Sequence, residues 1–339
     1  MNQTTEKKAI VRYAAAIFWH ADERRLRLLW RLLGTALFAF LLMVVNGMAF
    51  SLLKMDAPAF WGQLQANIFI IFAIWMGARW LDRRKFAETG IQSSKNWWVD
   101  FGFGLALGAV LMTLIFGVER MAGWVTISET FRMPNPDQSF LLAMLTAFVF
   151  YIGVGFAEEL TFRGYLLLNV AEGLKFRFIN ARWAVLISWF LTSAVFGIAH
   201  ANNPNATLIS SVNIAMAGIM LGLAYVLTGS LAIPIGLHIT WNFFQGNVFG
   251  FPVSGTNVFP TTVTAIEQGG PEIWTGGVFG PEAGLLGLLA MILGIVLIAG
   301  WIRMRTGELK LLTAIADPPP VRLKPASDEA EGEIPVSSS

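Results

Sequence analysis

Residues 156–164 read FAEELTFRG and interrupt a long apolar run with two carboxylates and a guanidinium. An ionisable group at the centre of a bilayer costs roughly 2.5–3.5 kcal/mol on insertion scales. Such groups persist where they pair with one another or where they do chemistry. On a helix, successive side chains differ by about 100° around the axis, so Glu158 and Glu159 cannot share one role. Glu159 and Arg163 are four apart, the spacing at which Glu and Arg meet on one helix face. The pattern therefore predicts one structural carboxylate, Glu159 braced by Arg163, and one carboxylate free for chemistry, Glu158. The bland alternative is a charge cluster snorkelling to the membrane surface.

The chain has only three histidines. His20 lies in the charged N-terminal segment and reads as an interfacial residue. His200 closes the stretch FGIAH, which begins at Phe196, and His238 opens HITWN, which ends at Asn242. His238 and Asn242 are four apart and share a helix face. Two imidazoles and one unpaired carboxylate support two schemes. Glu158, His200 and His238 could be three ligands of a divalent metal such as zinc, with an open position for water. Without metal, Glu158 could act as general base on a water oriented by His200, with His238 and Asn242 donating to the oxyanion. Both schemes lead to hydrolysis inside the membrane. The soluble zinc-protease pattern His-Glu-x-x-His is absent.

The elements that must position these residues are apolar helices. Of 339 residues, 55% are hydrophobic and only 14% charged, against about 25% charged in ordinary soluble domains. Apolar stretches of about 20 residues, enough to cross roughly 30 Å of hydrocarbon, recur along the chain. The expected fold is all-α, a polytopic membrane bundle of about eight transmembrane helices. The spans fall near 32–53, 64–81, 99–118, 139–158 or beyond, 183–200, 207–228, 230–249 and 282–302. Residues 1–31 read as a cytoplasmic or interfacial segment that could lie on the membrane as an amphipathic helix. Residues 32–310 form the bundle, with the chemically interesting core at about 139–250, and 311–339 form a disordered cytoplasmic tail. Gly104 with Gly108, and Gly218 with Gly222, suit close helix packing. The 250–281 segment, rich in Gly, Pro and Thr, is expected to pack over the non-cytoplasmic surface. Lys and Arg gather before span 1, between spans 2 and 3, between spans 4 and 5 and after span 8. That places both termini in the cytoplasm of a multi-pass protein, taken to be in the cell inner membrane. There are no cysteines, hence no disulfides or thiolate metal sites. No basic, aromatic-interleaved cluster suggests nucleic-acid binding.

Glu-Glu-x-x-x-Arg, then Phe-x-x-x-His, then His-x-x-x-Asn, on successive membrane helices, resembles the CAAX protease and bacteriocin-processing (CPBP, or Abi) family of intramembrane proteases. The resemblance covers about 150–250, and EELTFRGYLL and LTGSLAIPIGLHITWN extend it beyond the signature positions. It implies an eight-helix fold and an intramembrane endopeptidase. Glu158, His200, His238 and Asn242 would be catalytic, and Glu159, Arg163 and Phe196 structural. It implies a peptide or protein substrate, free or anchored in the lipid bilayer as a prenylated protein is, or a link to bacteriocin maturation and self-immunity. Both a metalloprotease and a metal-free glutamate mechanism have been argued for such enzymes.

One difficulty is geometric. Read literally, span 4 ends at Glu158 on one side of the membrane and span 5 ends at His200 on the other. The site requires span 4 to run on to about Val170 and tilt. The other functional classes are a non-proteolytic immunity or scaffold protein that uses the same polar chamber for binding, and a proton-relaying transporter. The transporter predicts inverted repeats and paired broken helices, and the sequence shows neither.

Overall fold

The computed structural model describes residues 16–53 and 59–320. Eight helices dominate them: α1 Leu28–Leu53, α2 Ala59–Met76, α3 Lys95–Met121, α4 Phe140–Glu159, α5 Ala181–Ala199, α6 Leu208–Thr228, α7 Ala232–Phe243 and α8 Leu285–Thr306. Seven of them, all but α7, give segments long and apolar enough to cross a membrane. The chain is a multi-pass membrane protein. Large apolar side chains such as Leu33, Leu37 and Phe40 are exposed along α1, as the lipid-facing side of a membrane helix should be.

The helix ends carry local signals. Ser94 Oγ accepts from the Trp97 amide at the start of α3, and Asn180 does the same for Trp183 at the start of α5. Thr207 and Ser210 form a reciprocal capping box on α6, so orphan amides of the first turn are satisfied. Gly229 ends α6 with φ +67°, a left-handed conformation that favours glycine.

Two features set the depth of the central residues. The first is that α4 does not stop at Glu159. It continues through a π segment, Leu160–Leu167, and a final α-helical stretch, Leu168–Leu174. The whole spans 35 residues, about 52 Å at 1.5 Å per residue. Glu158 therefore lies in the body of a long helix, as the geometric requirement demanded. The second is α7, read from sequence as a full span over 230–249. It runs as an α-helix over Ala232–Phe243 and on through a π turn, Phe244–Val248, close to the expected bounds. Its residues from Ala232 to Trp241 are all buried. A helix apolar on every side belongs at the centre of a bundle, and α7 is enclosed by protein.

Glycines let α7 come that close. A Cβ added at Gly104 would lie 2.4 Å from the Ile233 carbonyl oxygen, and one at Gly108 would lie 2.4 Å from that of Leu237. On α6, a Cβ at Gly218 would sit 3.0 Å from the Ser193 Cα. Both glycine pairs act as spacers in helix seams.

Several expected boundaries shift. Residues 16–31 are not one surface helix: Trp19–His20 pairs antiparallel with Arg25–Leu26, and α1 begins two residues later. Arg25 and Arg31 are buried there, not displayed as surface charge. Together with Arg84 they surround Glu172, with Arg25 Nη2 at 2.8 Å and Arg31 Nη1 at 3.1 Å from Oε2. Asp82 joins the network through Arg31 Nη1 at 3.6 Å and Arg84 Nε at 3.5 Å, and accepts from Asn169 Nδ2 at 2.9 Å. The expected tail also starts too early. Thr313–Ala316 forms a 3-10 turn packed against α5 and the Leu168–Leu174 end of α4, with Ile315 and Ala316 in the core. The rest of the tail, 321–339, and residues 1–15 lie outside the described residues. Finally, the all-α core carries a two-stranded antiparallel ribbon, β1 Val125–Arg132 with β2 Thr262–Gln268. The 250–281 segment thus has a strand of its own.

Candidate active site

Three helices bring the polar motifs together. Glu159 is fully buried. Its Oε1 accepts from Arg163 Nη1 at 2.7 Å and from His238 Nδ1 at 2.8 Å. Arg163 Nη2 donates to the Gly218 carbonyl at 3.2 Å, and the guanidinium carbon stands 4.5 Å from the Phe196 ring centroid. One ion pair therefore links α4 to α7, α6 and α5. A buried carboxylate left alone would be expensive, and the charge-assisted bonds offset that cost.

The two imidazoles are held by the same logic. His200 Nδ1 is 2.8 Å from the Phe196 carbonyl oxygen. A carbonyl only accepts, so Nδ1 carries the hydrogen. His238 Nδ1 donates to the Glu159 carboxylate. With each Nδ1–H engaged, the Nε2 of each neutral ring bears a lone pair. Both Nε2 atoms face the same atom, Glu158 Oε2, each at 3.8 Å. Glu158 Oε2 is itself buried and has no hydrogen-bond partner among the described residues.

That distance is too long for a direct hydrogen bond and suits groups that share a small molecule between them. Three lone-pair-bearing atoms converging on one point need hydrogens or positive charge between them. A cavity is available. Phe196, His200, His238 and Asn242 line it, Glu158 does not, and its volume of about 40 Å³ has room for a few waters. The metal scheme fits less closely. Neighbouring ligands of a tetrahedral zinc with bonds near 2.1 Å are about 3.4 Å apart, closer than these donors. Among the described residues, no group of three or more His, Cys, Asp or Glu side chains is set to hold a metal ion.

All seven residues singled out from the sequence meet in this region. Four others were not anticipated. Ser254 and Glu282 line the same cavity, while Gln245 and Asn203 hold them from behind. Glu282 is buried, and its Oε1 accepts from the Ser254 amide and hydroxyl at 2.5 and 3.1 Å. Its Oε2 accepts from Gln245. Burial pushes the Glu282 carboxyl up to about 7, against these hydrogen bonds, which pull it down. The signal that could have found it is a lone carboxylate in Gly-Pro-Glu at the mouth of an apolar span.

Residues 139–244 match a family model described as Rce1-like, type II CAAX prenyl endopeptidase. Among curated proteins, an uncharacterized protein of Bacillus subtilis (strain 168), YyaK, is 25% identical over 181 residues, which cover 52% of this chain and 56% of that protein. The chain thus spans about half the length of this relative. No solved structure matches. The matched stretch, about a third of the chain, contains all seven motif residues and is similar to the Rce1-like type II CAAX prenyl endopeptidase family.

Proposed function

We propose that this protein is an intramembrane endopeptidase whose nucleophile is a water held between Glu158 and the two imidazoles. The observation that carries the reading is the unpartnered Glu158 Oε2, faced by two Nε2 atoms at equal distance. The family match supports the reaction class. Glu158 takes a proton from the water as its oxygen attacks the scissile carbonyl carbon. His200 Nε2 accepts the water's other hydrogen and so aims its lone pair. The Asn242 amide donates to the oxyanion, and His238 joins it when its Nε2 carries a proton. On collapse, the C–N bond breaks and the proton held by Glu158 passes to the leaving nitrogen, giving a carboxylic acid and an amine. Glu159 and Arg163 fix the ring of His238 and take no part in bond making. The substrate is a peptide or protein reaching the site within or beside the bilayer. The basic segments at one end of the bundle face the cytoplasm in this reading, with both termini.

The test uses purified full-length protein and a quenched peptide library. Glu158→Gln should lower cleavage by roughly 10²–10⁴-fold, the usual share of a general base. Equal cleavage by parent and variant overturns the reading. Divalent-ion binding by Glu158, His200 and His238 would need the donors to draw together. With metal content measured in parallel, chelator-treated protein should keep its activity if the water alone is the nucleophile.

A further inference from the structure

His200 sits where a helix ends, and His238 lies five residues before the α-helical part of α7 does. His200 follows the last residue of α5, at the start of a loop whose turns run from His200 to Asn203 and from Asn203 to Ala206. His238 and Asn242 lie on α7, which gives way to the π turn carrying Gln245. Helix ends are set by what they dock on, and here one buried side chain reaches both. Glu282 holds Gln245 directly. It also holds the amide of Ser254, and the Ser254 carbonyl in turn accepts from Asn203 Nδ2 at 3.1 Å. Gln245 also donates to the Pro252 carbonyl at 2.6 Å, which closes the ring of contacts.

The turn at the middle of this ring is under constraint. Ser254 has φ +46°, a left-handed conformation that side chains other than glycine rarely adopt. Such a conformation persists only where the surroundings over-determine it. Gly255 follows with φ +81°, and a Cβ there would lie 1.8 Å from the Pro204 carbonyl oxygen. The 254–255 turn is therefore pressed against the loop that follows His200 and pinned from behind by Glu282.

We propose that Glu282 is a positioning residue that sets the spacing between His200 and the His238–Asn242 helix by clamping the Ser254 turn to Gln245. The inference rests on the hydrolytic reading of the site. Glu282 acts in this reading through the turn it holds and takes no part in bond making. Its effect is on the 3.8 Å separations that define the water's place, and misplacement of about 1 Å in such a site costs on the order of 10²-fold in rate.

The experiment pairs peptide cleavage with hydrogen–deuterium exchange on full-length protein in lipid nanodiscs. Glu282→Ala should speed amide exchange in both 200–206 and 243–256 and lower kcat at least tenfold, with KM moving less than threefold. Glu282→Gln keeps one acceptor oxygen, for Ser254, and turns its NH2 toward Gln245 Nε2, so it should restore slow exchange in 200–206 more than in 243–256 and recover only part of kcat. Should Glu282→Ala fail to fold, Asn203→Ala breaks the same chain at its outermost link. It is expected to loosen 200–206 and lower kcat severalfold. Parent-like exchange in the Ala variants overturns the clamp. Faster exchange with parent kcat overturns its role in positioning. An inactive parent refutes the hydrolytic reading instead, and the exchange data still decide the clamp.

Discussion

Each imidazole in this site has its Nδ1 occupied by a different kind of acceptor, a backbone carbonyl for His200 and a carboxylate for His238. The first acceptor is neutral and the second anionic, so the rings are not equivalent. His238 is the better placed to hold a positive charge as the oxyanion forms, which fits it to the donor role. Glu282 adds a separate titration near the site. Its carboxyl is held at about 7, above the ordinary carboxylate value of 4.5. The folded state therefore keeps this proton where the unfolded chain has lost it. The stabilisation is full below about 4.5 and is lost as pH rises through about 7. Thermal unfolding in detergent should show a lower Tm at pH 8 than at pH 5, and Glu282→Gln should flatten that difference. A slope unchanged by the substitution would assign it to other groups. The seven motif residues were legible because their spacing is local: four residues along a helix is a contact. Glu282, Ser254, Gln245 and Asn203 were not, because their meeting depends on a loop whose path no periodicity reports.

At the scale of elements, the π segment of α4 begins directly after Glu159. A π segment widens the helix, and such bulges recur at functional sites. Here it keeps α4 unbroken through the two carboxylates, so Glu158 enters the bundle without a loop. The other decisive element is the seam between α3 and α7. A Cβ at Gly108 would meet the Leu237 carbonyl oxygen and the Thr240 hydroxyl at 2.4 Å and the Trp241 amide at 2.8 Å, so Gly108→Leu meets mainly backbone and must push α7 outward. Destabilisation of about 1–3 kcal/mol is expected from overpacking alone, together with loss of activity, because α7 carries His238. Unfolding in graded denaturing detergent measures the first and peptide cleavage the second. A variant as stable as the parent would mean that the seam is looser than described. Seven of the eight helices could be read from hydropathy, and the glycine spacing marked the seams. That α7 is enclosed by protein was not legible, because its buried sequence is as apolar as a lipid-facing one. The β1–β2 ribbon was missed because it joins segments more than 130 residues apart.

At the scale of the whole molecule, the N-terminal segment, the end of α2 and the end of α4 meet in a buried network of Arg25, Arg31, Arg84, Asp82 and Glu172. The sequence showed these arginines only as loop charge, since a Lys or Arg count says nothing about burial. Glu172 touches three guanidinium groups. Glu172→Ala should cost about 3–5 kcal/mol, the usual penalty for leaving buried charge without its partner. The cysteine-free chain allows a simple readout, since a single Cys introduced at exposed Leu29 would report detachment of the N-terminal segment by its labelling rate. Unchanged stability and labelling would mean that the network is dispensable. The length of α4 carries a different consequence. At about 52 Å it exceeds the hydrocarbon thickness of any ordinary bilayer, while α5, with 19 residues, barely matches it. A membrane of longer acyl chains would let α4 stand more upright, and a thinner one would tip it over. Glu158 rides on the first helix and His200 on the tip of the second, so acyl-chain length becomes a dial on their separation, and the surrounding lipid a setting of the proposed activity.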